Sequence, residues 1–199
     1  MPYPSQVDKA RIVEQAQQLL EAEGLKALSL AKLADALGVK APSLYRHVGH
    51  KNELLQAMNQ VTVEALFAAM HAARATAPAD PKAQLLAIFH AFRRFAHAHP
   101  QSYALLFARQ TAGERPDEQL LTGLALSLQS IIAQISGEAH ALAALRGALA
   151  LAHGYVMLEL NQQLRRGGDL DDTYDQVITA YLAGWEVMRS EDRGRRSVS

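Results

Sequence analysis

From Asp8 to about residue 189 the apolar positions recur at intervals of three and four, and no stretch alternates with a period of two. The pattern predicts helices throughout. The first covers residues 8–23, with Ile12, Ala16, Leu19 and Leu20 as its stripe and Gly24 as a left-handed stop. Ser29 fits the N-cap of a short helix over 30–37, which Gly38 closes. After a corner at Val39 and Lys40, a second short helix covers 41–47, with Pro42 in its first turn, where a missing N–H costs nothing. Gly49 breaks that helix, and a long one starts near Lys51 and reaches 72–75.

Beyond it, "TAPADPK" (76–82) reads as a loop and Pro81 as the start of the next helix, whose stripe is Leu85, Ile88, Phe89, Phe92, Phe95 and Ala96. His99-Pro100 interrupts that helix, because the residue before a proline avoids helical backbone. A shorter helix carries Tyr103, Leu106 and Phe107; "TAGERPD" (111–117) is a loop; helices near 117–135, 139–165 and 171–189 follow. The expected organisation is a small N-terminal domain over 1–52, a connecting helix from about 51 to 75, a larger helical domain over 53–190, and a disordered tail, 191–199.

Composition narrows the class. Of 199 residues, 49% are hydrophobic and 20% charged, enough for a sizeable globular core. There is no cysteine, which excludes disulfides and Cys-based metal centres. The first fifteen residues lack a basic head followed by an apolar stretch, and no run approaches the roughly 18 uninterrupted apolar residues of a membrane helix. The expected compartment is the cytoplasm, with no membrane partner. Net charge is zero overall, but residues 1–52 hold seven basic against five acidic side chains, a net +2, and the remainder carries −2.

Helix, glycine-containing corner, helix over 30–47 is the helix-turn-helix arrangement, whose second helix enters the DNA major groove. Leu30, Leu33, Ala34, Leu37, Val39 and Leu44 have inward spacing. That leaves Lys40, Ala41, Ser43, Tyr45, Arg46 and His47 to face outward, and Lys51 at the start of the next helix. Small residues at 41 and 43 would let the helix approach base edges; Tyr45 suits a phosphate, and Arg46 a guanine or a phosphate. Spacing alone leaves open a helical hairpin with a solvated basic face.

Residues 12–58, and above all "LSLAKLADALGVKAPSLYRHVGHKNELLQAM", resemble the DNA-binding domain of the tetracycline-repressor (TetR) family. The shared features are a Ser/Thr before the second helix, "hA…hGV", "LYxHh" and "K-x-x-L". The resemblance implies that Ser29, Tyr45, His47 and Lys51 contact phosphates, and that Lys40, Ala41, Pro42, Ser43 and Arg46 lie at or near base edges. Three positions depart from the family pattern: Lys40 replaces a Ser/Thr cap, Val48 a Phe, and His50 a small polar cap. The segments "LLAIFHAFRRFAHAHPQSYALLFAR", "ALRGALALAHGYVMLELNQQL" and "YDQVITAYLAGW" are similar to a TetR-type C-terminal domain with a Trp-His-Gly signature. Here the triplet is Ala152-His153-Gly154.

Residues 139–165 are apolar nearly all round, and the last helix has Val177, Tyr181, Trp185 and Met188 in register with Gly184. A second copy packing on these two helices would cover them, with Leu149, Val156, Val177, Tyr181, Gly184, Trp185 and Met188 at the interface. A two-fold dimer would set its reading helices about 34–36 Å, or a small multiple, apart on a palindromic site. Phe89, Phe92, Phe95, Tyr103, Phe107, His153 and Met157 could line a cavity for a small-molecule effector, or fill the core. Arg93, Arg94 and Arg109 suit a solvated face better than an anion site. His90 and His97 share a helix face without completing a metal set. No nucleophile elbow, phosphate loop or dinucleotide fingerprint occurs, so neither an enzyme nor a cofactor is expected. The reading is a homodimeric, ligand-responsive DNA-binding regulator, most simply a repressor; the alternative is a helical small-molecule-binding module without sequence-specific DNA binding.

Overall fold

The computed structural model describes residues 8–108 and 111–196, apart from the side chains of 112, 193 and 196. Among the described residues there are only helices and turns. In chain order they are α1 (Lys9–Glu23), α2 (Leu30–Leu37), α3 (Ala41–Val48), α4 (Lys51–Thr76), α5 (Pro81–Ala98), α6 (Pro100–Phe107), α7 (Glu118–Ser136), α8 (Ala141–Leu160) and α9 (Leu170–Arg196). Short 3-10 turns at Ala112–Glu114 and Glu138–His140 precede α7 and α8. Arg109 lies outside the described residues. Helix α8 is shorter than the expected 139–165, because its last turn ends at Asn161 and Gln162, the latter at φ 54°. Helix α9 continues to Arg196, past the point at which the sequence suggests a disordered tail.

The chain packs as two compact units. One comprises the residues up to Ala65 together with His99–Glu118; the other comprises Leu66–Ala98 and the residues from Gln119 onward. The first unit is thus larger than residues 1–52. Its core joins Ile12, Val13, Ala16 and Leu20 of α1 to Leu33 and Ala34 of α2, Leu44 and Val48 of α3, Leu54, Leu55 and Met58 of α4, and Leu105 of α6.

In the second unit α5, α8 and α9 pack on one another. Helix α8 buries Ala141, Ala144, Ala148, Ala152 and Val156, spaced by threes and fours. Small side chains on that stripe let α9 come close: a Cβ on Gly147 would stand 2.4 Å from the Tyr181 hydroxyl oxygen. That hydroxyl donates to the Ala144 carbonyl at 2.6 Å. Helix α7 and the 138–160 stretch have the length and hydropathy to cross a membrane. In this unit, however, Ile131, Ile132 and Ile135 and the alanine stripe are buried in a helical core.

Candidate nucleic-acid interface

The first unit positions α3 by local devices. Asp8 caps α1 by accepting from the Arg11 N–H at 2.8 Å, and Ser29 Oγ caps α2 by accepting from the Lys32 N–H at 3.2 Å. Gly38 stands at φ 67°, ψ 30°, and its N–H reaches the Asp35 carbonyl at 3.1 Å while the Val39 N–H reaches that of Ala34 at 3.0 Å. This pair of bonds is the Schellman closure, and the left-handed residue it requires is a glycine. Val39, next in the chain, packs against the core. The corner is therefore a fixed geometry, and α3 leaves it at one angle.

Leu44 and Val48, one turn apart, are buried to 0% and 1% exposure, which fixes the rotation of α3 about its own axis. Tyr45, Arg46 and His47 between them are exposed, Tyr45 at 54%. Lys40 and Pro42 are exposed as well, and Ser43 is half-buried. Ala41, expected near base edges, instead packs against the core beside Leu37 and Val39. It sits on the same side of α3 as Leu44 and Val48. Lys40 takes the N-cap position of α3 without a side-chain cap bond, as expected where a lysine replaces a serine or threonine. Lys51 is exposed, and its Nζ donates to the Leu28 carbonyl at 3.2 Å, which ties the start of α4 to the α1–α2 connection. Two of its three donors stay available. Ser29 Oγ accepts as the cap of α2, a bond that leaves its hydroxyl proton to donate elsewhere.

The seven expected cavity residues do not form one cluster. Tyr103 and Phe107 belong to the first unit, with ring centroids 4.7 Å apart. Phe89, Phe92, Phe95, His153 and Met157 belong to the second; the first two are buried and the others half-buried. Burial pushes the His153 imidazole below its ordinary value.

Near them lies a polar cluster that the sequence reading missed by leaving Arg93 on a solvated face. Arg93 Nε and Nη2 donate to the two Glu159 carboxylate oxygens at 2.8 and 2.7 Å, and Nη1 lies 2.6 Å from Asp171 Oδ1. Its guanidinium stands 5.1 Å from the centre of the Tyr174 ring. The Glu159 side chain is only 3% exposed, and His97 Nε2 lies 3.2 Å from it. The Glu159 hydrogen bond lifts the Arg93 pKa above its ordinary value against the opposing effect of burial. Burial alone would raise Glu159; the bonds and charges of Arg93 and His97 reverse this and hold it down. Burial also raises Tyr174, whose hydroxyl donates to the Phe89 carbonyl at 3.1 Å. The missed signal was Glu159 itself, the sole acidic residue of α8: a lone carboxylate on an apolar helix needs a cation. His90 pairs with Asp175 at 2.7 Å, and Arg94 is exposed.

Of the expected interface residues, Leu149, Gly184 and Met188 are exposed, Leu149 at 49% and Met188 at 45%, while Val177 and Trp185 are half-buried. Tyr181 is held against α8 of its own chain by the bond to Ala144. Val156 is fully buried within the second unit and is a core residue instead.

Two family models match the chain: bacterial regulatory proteins of the tetR family over residues 12–58, and the tetracyclin repressor-like C-terminal domain over 85–181. A helix-turn-helix-type transcriptional regulator of Mycobacterium tuberculosis is 29% identical over 92% of this chain and 84% of its own. The class E tetracycline repressor protein of Escherichia coli is 35% identical over 38% of this chain and 34% of its own. Among solved structures, a tetracycline-repressor variant from Acinetobacter baumannii in complex with minocycline superposes with a TM-score of 0.69, at 26% identity, over 92% of this chain and 99% of that one. A Rhodococcus protein of unknown function reaches a TM-score of 0.80 at 24% identity, over 92% and 98%.

Proposed function

We propose that this chain, which belongs to the tetracycline-repressor family of DNA-binding transcriptional regulators, reads a palindromic operator as a homodimer and is released from it by a small molecule. The observation that carries the reading is α3. Its apolar residues pin it to the core at two points, and Pro42, Ser43, Tyr45, Arg46 and His47 occupy the remaining circumference beside Lys40. Arg46 and Ser43 are the base-reading side chains, while Tyr45, His47, Lys51 and Ser29 grip phosphates. Gripping sets orientation on the duplex; reading sets sequence. The dimer forms through the outward faces of α8 and α9, around Leu142, Leu149, Gly184 and Met188. The effector enters the second unit, near Phe89, Phe92, Phe95, His153 and Met157. It acts by favouring a state of the dimer whose reading helices no longer match the operator. The compartment is the cytoplasm, where the operator is.

Selection from a randomised duplex library tests this directly. An enriched inverted repeat is expected, and a library that returns no repeat overturns it. On the selected site, Tyr45→Phe and Lys51→Ala weaken binding evenly across sequences. Arg46→Ala costs about 1–3 kcal/mol and relaxes the preference at one base. A uniform loss from Arg46→Ala would move that residue to the phosphate-gripping set.

A further inference from the structure

The chain passes between its two units three times: within α4 after Ala65, between Ala98 and His99, and between Glu118 and Gln119. A reading unit held through α4 alone could turn about that helix. The segment beginning at His99 is a second covalent tether, and it constrains the unit only as firmly as α6 is fastened to it.

The fastening is made by a residue of α1. The N-cap of α6 is His99, which offers no side-chain cap, and Pro100 at the first helical position has no N–H to satisfy. The first intrahelical bond is Tyr103 N–H to the His99 carbonyl at 2.9 Å. Two orphan donors are left, the N–H groups of Gln101 and Ser102. Both are taken by the carboxylate of Glu21, at 3.1 and 2.8 Å, from 80 and 81 residues away in sequence. A carboxylate at this position also complements the positive end of the α6 dipole. Leu105, one turn further on, is buried in the core of the reading unit. The far end of the segment is fastened too: Asn59 of α4, fully buried, donates to the Glu114 carbonyl at 2.9 Å, and Gln60 accepts from the Asp117 N–H at 2.9 Å.

We propose that Glu21 is a positioning residue for operator recognition: by capping α6 from α1 it makes the α6 segment a second tether on the reading unit, and so sets the half-site spacing that the dimer accepts. The inference rests on the dimeric, operator-reading function above. Glu21 lies on α1, apart from the face of α3 assigned to DNA, so its effect reaches DNA through orientation and not through contact.

The test uses the full-length protein, the duplex recovered by library selection, the same duplex with one base pair added to or removed from its centre, and a duplex holding a single half-site. For Glu21→Ala, affinity for the single half-site stays within about two-fold of wild type. The ratio of affinities between selected and altered spacing shrinks by about five-fold or more, the lower range of allosteric coupling factors. Glu21→Gln keeps one acceptor oxygen and lies between the two. Amide hydrogen exchange at Gln101 and Ser102 reports that the cap has opened. An unchanged spacing ratio with those amides exchanging fast overturns the proposal. So does a parallel loss at half-site and full site, which would make Glu21 a mere support of the reading unit. If the wild type itself shows no spacing preference, the operator-reading function has failed instead, and the coupling role falls with it.

Discussion

Helices α3 and α8 divide their side chains in opposite ways. Helix α3 follows the ordinary rule: Leu44 and Val48 go in, and Tyr45, Arg46 and His47 come out. Helix α8 reverses it, burying Ala141, Ala144, Ala148 and Ala152 while leaving Leu142, Leu149 and Leu158 at 47%, 49% and 40% exposure. Each exposed leucine forgoes part of the roughly 1.5–3 kcal/mol that full burial would bring. What the chain gains inside is proximity, since alanine and Gly147 admit the phenol of Tyr181. What it leaves outside is apolar area, at Leu142, Leu149 and Leu158. Both outward faces are exposed, but that of α3 is polar and basic and that of α8 is apolar, and the roles proposed for the two helices rest on this difference.

The largest effect is expected at the outward leucines. Leu142→Asp with Leu149→Asp should leave helical content intact while converting the protein to a monomer in sedimentation. Operator affinity should then fall by about a hundred-fold or more, because each monomer holds one half-site. A variant that stays dimeric would remove α8 from the interface. On the inward side, Gly147→Ala should cost about 1–3 kcal/mol in urea unfolding, since the new methyl meets the Tyr181 ring and hydroxyl. In a Tyr181→Phe background the penalty should shrink, and an unchanged cost would show that Tyr181 is not the obstacle. In the reading unit, Ser29→Ala should cost about 1 kcal/mol through the lost cap of α2, measured by the same unfolding. The smallest effect concerns pH. Burial lowers His153, so the unfolded chain takes up that proton first as the pH falls through about 6.5, and stability rises with pH across that window. His153→Gln should therefore lose less stability than wild type between pH 7.5 and 5.5. An equal loss would assign the slope to other histidines.

The reading unit was legible in the sequence because its determinants are local. Ser29, Gly38, Gly49 and the Leu44 register each act within a few residues, and the structure places the short helices where those signals put them. The exception is Ala41, which shares the inward side of α3 with Leu44 and Val48, three and seven residues on, although its small size also suits an approach to bases. The second unit was less legible, because what holds it runs between distant segments. Arg93, Glu159 and Asp171 come from three helices, and composition cannot say which arginine a buried carboxylate will find. The apolar character of α8 was plain, but its inward face was not: the leucines invited burial, and the alanines received it. Tyr103 and Phe107 were grouped with the aromatic residues of α5 by type, whereas the break at His99-Pro100 assigns them to the other unit.

The closed corner at Gly38 and Val39 has a consequence for retargeting. The corner is made of backbone bonds, and the seat of α3 is made by Leu44 and Val48. Among the described residues, no side-chain hydrogen bond or ion pair within the chain is made by Lys40, Ser43, Tyr45, Arg46 or His47. These five positions therefore form a cassette whose contents can be exchanged without renegotiating the fold. A library varied only there would explore new operators on a scaffold of nearly constant stability.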